Sequence, residues 1–273
     1  MVVNKKEKKI TMTAKKIIVI NEKGGVGKSS IAFNCAYELS REAKVLMIDL
    51  DAQRANLSWM AGVMDQKDEN GKVTIAKDSY LTMFDVMTGA NTIHECIVQI
   101  KDNLDLVPAN NKVLSFSRVS SERKFKNALK EVENEYDYIF IDVDPTPSLT
   151  HKIALMVTDY VIIPMLPDFL SLEADIGVIE DINDTQELNK DLKVLGMVFN
   201  KCNDRLNLTK ICVKKAEEMA SNLQTSLFET KIRNAVSLSE CPFLHMGVTD
   251  YDPDSGVAQD IRNLVKEIKE RTK

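Results

Sequence analysis

The stretch from Lys16 to Ser40 constrains this chain most: an apolar run, KIIVIN, leads directly into EKGGVGKSS, and helical periodicity follows from Lys28. A glycine-rich turn between a strand and a helix lets successive backbone N–H groups face a phosphate, and the helix N-terminus adds its positive dipole end. The phosphate-loop pattern GxxxxGK[ST] is met at Gly27, Lys28 and Ser29, with Glu22 standing where the first glycine belongs. Strand, loop, lysine, hydroxyl and helix occur in order, so a glycine turn without function is a poor competitor. In this reading Gly24, Gly25, Val26 and Gly27 form the cradle and Lys28 neutralises the β and γ phosphates; Ser29 ligates Mg2+, and Ser30 with the helix N-terminus holds the α phosphate. Lys23 is redundant for that task and is more useful pointing toward a second nucleotide.

Short, β-rich, nearly continuously apolar runs recur at Lys44 to Asp49, Leu104 to Ala109, Tyr138 to Asp142, Tyr160 to Met165 and Lys193 to Asn200. Strands buried on both faces read this way. Between them, helical periodicity marks Lys28 to Ser40, Ser121 to Glu135, Leu172 to Leu188, Thr209 to Leu223 and Val257 to Arg271. The alternation predicts right-handed βαβ units in an α/β fold: a single domain over residues 16–273, with a mostly parallel sheet and helices on both faces. Asp65 to Ser79 is too charged for core and is expected to form a surface excursion. Residues 1–15, with Lys5, Lys6, Lys8, Lys9 and Lys15 against the single Glu7, read as a flexible basic arm.

Composition narrows the function classes. No apolar run approaches the roughly 18 residues that span a bilayer, and nothing resembles a secretory signal, so a cytoplasmic protein is expected. Cys35, Cys96, Cys202, Cys212 and Cys241 are dispersed without CxxC spacing, which argues for small buried hydrophobes rather than a disulfide framework or a zinc site. A net charge of −5 means that any contact with nucleic acid must come from a local patch.

The loop KGGVGKSS resembles the deviant phosphate loop KGGxGK[ST] of the ParA/MinD ATPases, and the resemblance runs over most of the chain from Lys16. It implies ATP and Mg2+ as cofactors. It also implies a homodimer that sandwiches two ATP molecules, with Lys23 crossing the interface to the partner's nucleotide. The segment IDLDAQRANLSW looks like the family's DxDPQ motif, so that Asp51 is expected to position the attacking water and Asp49 to support the loop and the magnesium shell. Ala52 replaces the motif's proline, and Arg54-Ala55 reads as a one-residue expansion. YIFIDVDPTPS resembles hhhhDxPPS: Asp142 closes a strand and would hold a water of the Mg2+ shell. Asp144 stands where many relatives have proline, and either faces away from the phosphates or tunes this switch loop differently. Asn200 matches the position that hydrogen-bonds adenine, with a structural strand-end role as its alternative; Asn203 where NKxD would require aspartate favours ATP over GTP.

Three uses of such a switch compete: DNA segregation, a MinD-like membrane cycle or other protein-only positioning, and a metabolic or redox role. Only Cys96 is even roughly placed for a shared cluster, and the apolar stripe Val257, Ile261, Leu264, Val265, Ile268 suits packing on the sheet better than membrane anchoring. Lys201, Arg205, Lys210, Lys214, Lys215, Lys231 and Arg233 make the C-terminal third locally basic, as a solvated face or as a phosphate-contacting surface. The resemblance tips this toward plasmid or chromosome partition. Nonspecific DNA would be bound through Arg205, Lys210, Lys214 and Arg233 by a nucleoid-associated dimer whose hydrolysis is stimulated by a ParB-like centromere-binding partner, with no membrane involved.

Overall fold

The computed structural model describes residues 13–51, 54–63, 65–67, 73–75, 80–109, 118–146, 148–203 and 207–273. The apolar runs become β1 (Lys15–Val19), β2 (Val45–Asp49), β6 (Leu104–Val107), β7 (Tyr138–Asp142), β8 (Tyr160–Met165) and β9 (Lys193–Phe199), preceded in the sheet by an edge strand, β5 (Val98–Lys101). A two-stranded hairpin, β3 (Asp65–Lys67) with β4 (Val73–Ile75), lies within the polar stretch expected to leave the core. The helices are α1 (Lys28–Leu39), α2 (Asn56–Met60), α3 (Met83–Thr88), α4 (Ile93–Cys96), α5 (Arg118–Val132), α6 (Leu149–Val157), α7 (Phe169–Leu188), α8 (Asn207–Asn222), α9 (Ser237–Glu240), α10 (Val248–Tyr251) and α11 (Gly256–Arg271).

The seven-stranded sheet has the order β5-β6-β2-β7-β1-β8-β9, and every pairing is parallel except β5 with β6. Alternate residues of each central strand feed different cores. Ile17, Val19, Met47 and Phe140 pack under α1 and α11, while Ile18, Ile20, Ile48 and Ile141 pack against α5, α6 and α8. This two-sided burial is why the strands read as unbroken apolar runs. The stripe Val257, Ile261, Leu264, Val265, Ile268 of α11 is buried in the first of these cores, and all five cysteines are buried.

At the N-terminus the fold begins earlier than the expected arm allows. Ala14 is buried and its N–H donates to the Glu133 carbonyl at 2.6 Å just past α5, while Lys15 pairs with Tyr138 as the first residue of β1. The rest of the basic arm, through residue 12, lies outside the described residues.

The strand order puts the carboxyl ends of β1, β2 and β7 side by side, with Asp49 opposite Asp142 in register. Ligands of open parallel sheets bind in the crevice at those ends.

Candidate functional site

The loop after β1 is held open by its own backbone. Asn21 is fully buried; its amide donates to the Pro164 carbonyl at 2.8 Å and its oxygen accepts from the Lys23 N–H at 2.7 Å. Gly25 (φ 79°) and Gly27 (φ 98°) take left-handed conformations, and a Cβ on Gly27 would collide with the Asn200 amide. Alternation of this kind turns consecutive N–H groups to one side as an anion nest. α1 starts directly from it, Ile31 donating to the Gly27 carbonyl at 2.9 Å. Gly24, Gly25, Gly27, Lys28, Ser29, Ser30 and Asp51 line one cavity of about 680 Å3, whereas the Val26 side chain is buried and only its backbone serves the loop. Burial pushes the Lys28 ammonium below its ordinary pKa, against the opposing pull of Asp142, Asp51 and Asp144.

The facing carboxylates divide their work. Asp49 is fully buried; one oxygen accepts from the Ser58 N–H at 2.8 Å and hydroxyl at 2.7 Å, and the other accepts from the Asp51 N–H at 2.9 Å. It therefore braces the turn that carries Asp51, and burial raises its pKa to about 7. Asp51 accepts from the Arg54 N–H at 3.0 Å and from the Asn56 amide at 3.4 Å. Ala55 closes this turn in a left-handed conformation (φ 48°) and caps α2, so the Arg54-Ala55 pair is the reversal that sends the chain into that helix.

Asp142 is the unsatisfied member. Both of its carboxylate oxygens are buried without a hydrogen-bond partner, and burial, followed by repulsion from Asp49, holds its pKa well up; the Ser29 hydroxyl and Lys28 oppose that rise without closing a hydrogen bond to it. A buried, orphaned carboxylate is costly. A hydroxyl and a carboxylate beside a phosphate loop are the oxygen donors that suit Mg2+, whose shell is otherwise completed by phosphates and water. Accordingly, the described residues include no group of three His, Cys, Asp or Glu side chains able to hold a metal unaided. The residues present fit the ion.

Asp144 is buried, close enough to Lys28 and Asp51 to interact with their charges. Its carboxylate accepts from the Thr146 N–H at 2.7 Å, and its carbonyl lies 2.5 Å from Nε2 of His151, a side chain that is itself fully buried on α6. The switch loop is thus tied to the helix that follows it. His151 carried no signal at the sequence level, because nothing in its neighbourhood there distinguishes it from an ordinary helical polar residue.

Lys23 does not line the cavity of its own loop; its ammonium lies 3.3 Å from Asp168, beyond β8. Asn200 lines the same cavity at the end of β9. Its amide donates to the Val26 carbonyl at 2.8 Å, its oxygen accepts from the Lys201 N–H at 2.8 Å, and it is buried. These two bonds give it a structural strand-end role beside the cavity. Lys201, grouped at first with the DNA-facing basic residues, instead donates to the Gly25 carbonyl at 2.9 Å from a left-handed backbone (φ 54°) and lines the cavity. Asn200→Ala is therefore expected to weaken ATP and GTP alike, by about tenfold, as loss of a buried hydrogen bond would. Equilibrium titration with both nucleotides checks this, and a loss confined to ATP would return Asn200 to base recognition.

Of the expected DNA-contacting residues, Lys210 and Lys214 share the exposed side of α8, together with Lys215, while Cys212, Ala216, Met219 and Ala220 face the core. Exposed Glu217 and Glu218 confine the positive field to the first half of that helix. Arg233 lies elsewhere, at the cavity mouth, held by Asp260 through bonds of 2.7 and 2.8 Å. Arg205 lies outside the described residues.

Comparison with known proteins agrees with this geometry. Residues 14–194 match the family model described as an AAA domain. The chain is 30% identical over 259 residues to the sporulation initiation inhibitor protein Soj of Bacillus subtilis (strain 168), covering 92% of this chain and 97% of that protein. It is 29% identical to the chromosome partitioning protein ParA of Myxococcus xanthus (strain DK1622), covering 93% and 88%. The crystal structure of the Pyrococcus furiosus cell division ATPase MinD superimposes with a TM-score of 0.75 over 94% of this chain and 99% of that one, at 22% identity.

Proposed function

Since this chain belongs to the ParA/MinD family of P-loop ATPases, we propose that it is an ATP-dependent dimerising switch for DNA segregation, hydrolysing ATP slowly and stimulated by a centromere-binding partner. The observation that carries the reading is the division of labour between two lysines on one loop. Lys28 lines the cavity among the carboxylates, whereas Lys23 rests on Asp168 outside it, available to a second subunit's phosphates once that exposed surface bridge is exchanged. Ser29 and Asp142 would hold Mg2+, which when bound neutralises charge on the phosphates. Asp51, fixed at the end of a braced turn, would orient the attacking water.

Dimerisation would also double the modest positive patch at Lys210 and Lys214. Two weak electrostatic sites joined rigidly bind a polyanion far better than one, which links ATP to DNA without any base contact. Sedimentation with ATP, ADP or no nucleotide, each with and without random-sequence DNA, tests the proposal. The unmodified protein is expected to dimerise with ATP and then bind DNA. Lys23→Gln is expected to bind one ATP per subunit and stay monomeric. Removing the charges of Lys210 and Lys214 should preserve dimerisation while lowering the slope of log K against log salt by about one for each lost contact. A stable Lys23→Gln dimer would sink the two-nucleotide sandwich, and absence of DNA binding in every nucleotide state would leave a protein-only positioning switch.

A further inference from the structure

A buried imidazole closes the loop between β7 and α6. His151 stands in the first turn of α6, where its backbone N–H donates to the Ser148 hydroxyl at 3.4 Å, and its ring turns back to bring Nε2 within 2.5 Å of the Asp144 carbonyl. A carbonyl only accepts, so the proton of this bond sits on Nε2. Nδ1 is then a buried acceptor, and it has no hydrogen-bond partner among the described residues. Such an orphaned group is destabilising. Burial also pushes the ring's pKa below its ordinary value, against the pull of Asp144, so the imidazole is neutral. An apolar side chain of similar size would fill the same space without the orphaned nitrogen. The Nε2–H is therefore what imidazole supplies here.

That donor fixes a carboxylate that would oppose a triphosphate. The Asp144 side chain folds onto its own turn, accepting from the Thr146 N–H at 2.7 Å, and it is buried, whereas Pro145 in the same turn lines the phosphate-loop cavity. Asp144 does not line it, yet it lies close enough to Lys28 and Asp51 to interact with their charges. A rotation of this turn would bring a carboxylate to the wall that Pro145 now forms, beside the ammonium that a terminal phosphate needs. The Thr146 N–H belongs to the loop and would move with it. His151 does not, because α6 is anchored in the core through Ile153, Ala154, Leu155 and Val157. Resting on the nucleotide-binding reading of the cavity, we propose that His151 is a specificity-determining positioning residue: by holding the Asp144 carbonyl it keeps the Asp144 carboxylate away from the terminal phosphate, so that the site prefers a triphosphate to a diphosphate. Without that hold, Asp144 competes with the γ phosphate for Lys28. A diphosphate, lacking that group, feels the competition less.

The experiment is a double-mutant cycle on the full-length protein, with Mg·ATP and Mg·ADP affinities measured by calorimetry. His151→Leu is expected to bind ATP about tenfold more weakly, while ADP affinity changes by less than about threefold. His151→Gln, whose amide places a donor near the position of Nε2, should recover most of that loss. Adding Asp144→Asn to His151→Leu keeps an acceptor for the Thr146 N–H, removes the charge and should also restore ATP binding. A packing defect would weaken both nucleotides and would not be repaired from Asp144. Because substitution of a buried ring can prevent folding, ring-nitrogen NMR of the unmodified protein, which has three histidines, gives a separate reading. The His151 ring should be neutral with its proton on Nε2, both with and without Mg·ATP. Unchanged ATP binding in His151→Leu, equal losses for ATP and ADP, no recovery by His151→Gln or Asp144→Asn, or a proton on Nδ1 overturns the role of His151 and leaves the phosphate-loop reading standing. Failure of the unmodified protein to bind either nucleotide overturns that reading and this inference with it.

Discussion

Lys28→Ala is expected to cost about 3–5 kcal/mol of ATP affinity, two to four orders of magnitude, and with it all nucleotide-dependent behaviour. The reason is its burial. The ammonium sits largely out of water among Asp142, Asp51 and Asp144, so its charge is weakly screened. Removing it leaves those carboxylates facing a triphosphate unaided. Lys28→Arg should do little better, because a planar fork does not occupy the space of a compact ammonium at the end of a glycine loop. Calorimetric titration with Mg·ATP, beside circular dichroism to verify folding, checks the prediction; a loss of less than tenfold in Lys28→Ala would remove the cavity from consideration as the nucleotide site.

The second large effect concerns hydrolysis without binding. Asp51→Ala is expected to lower single-turnover phosphate release by at least about a hundredfold, in the range seen for loss of a positioned polar catalyst, while ATP affinity changes by no more than a few fold. The structure adds a control. The Asp51 carboxylate also accepts from the Arg54 N–H and the Asn56 amide, so alanine loosens the turn into α2 as well as deleting the charge. Asp51→Asn keeps an acceptor for Arg54 and should therefore restore the turn but not the rate. Phosphate release from either variant at the unmodified rate would assign the attacking water to another group. With hydrolysis blocked, the proposed ATP dimer should accumulate, and sedimentation would show it persisting long after the unmodified protein has returned to monomer.

The parts of this fold that were legible in the sequence are those whose causes are local or periodic. β7 and β8 match the apolar runs Tyr138 to Asp142 and Tyr160 to Met165, and the other central strands differ by one or two terminal residues, as fraying ends do. Helices α1 and α11 were visible from their periodicity. Less visible were β5, an antiparallel edge strand half exposed along its length, and α6, nine residues long, whose signal is the Ser148 side chain accepting from the His151 N–H. Short elements at edges carry too few buried positions for a period to emerge.

What the sequence by itself determined is the phosphate loop and the carboxylates around it. A loop of eight residues between a strand and a helix builds its own anion nest, because glycine conformations and a helix dipole are properties of the chain at that point. Asp49 and Asp142 could be placed because parallel strands deliver their carboxyl ends to one crevice. What only the tertiary structure decided is the use of groups whose partners are far away in sequence. Asn200 and Lys201 meet Val26 and Gly25 across separations of 174 and 176 residues, which makes both of them braces for the loop. Lys23 found Asp168 and Trp59 found Phe243 in the same way. A side chain with several hydrogen bonds or contacts open to it declares its chemistry in the sequence, but which of them it makes depends on what the packed core carries within about 3 Å of it.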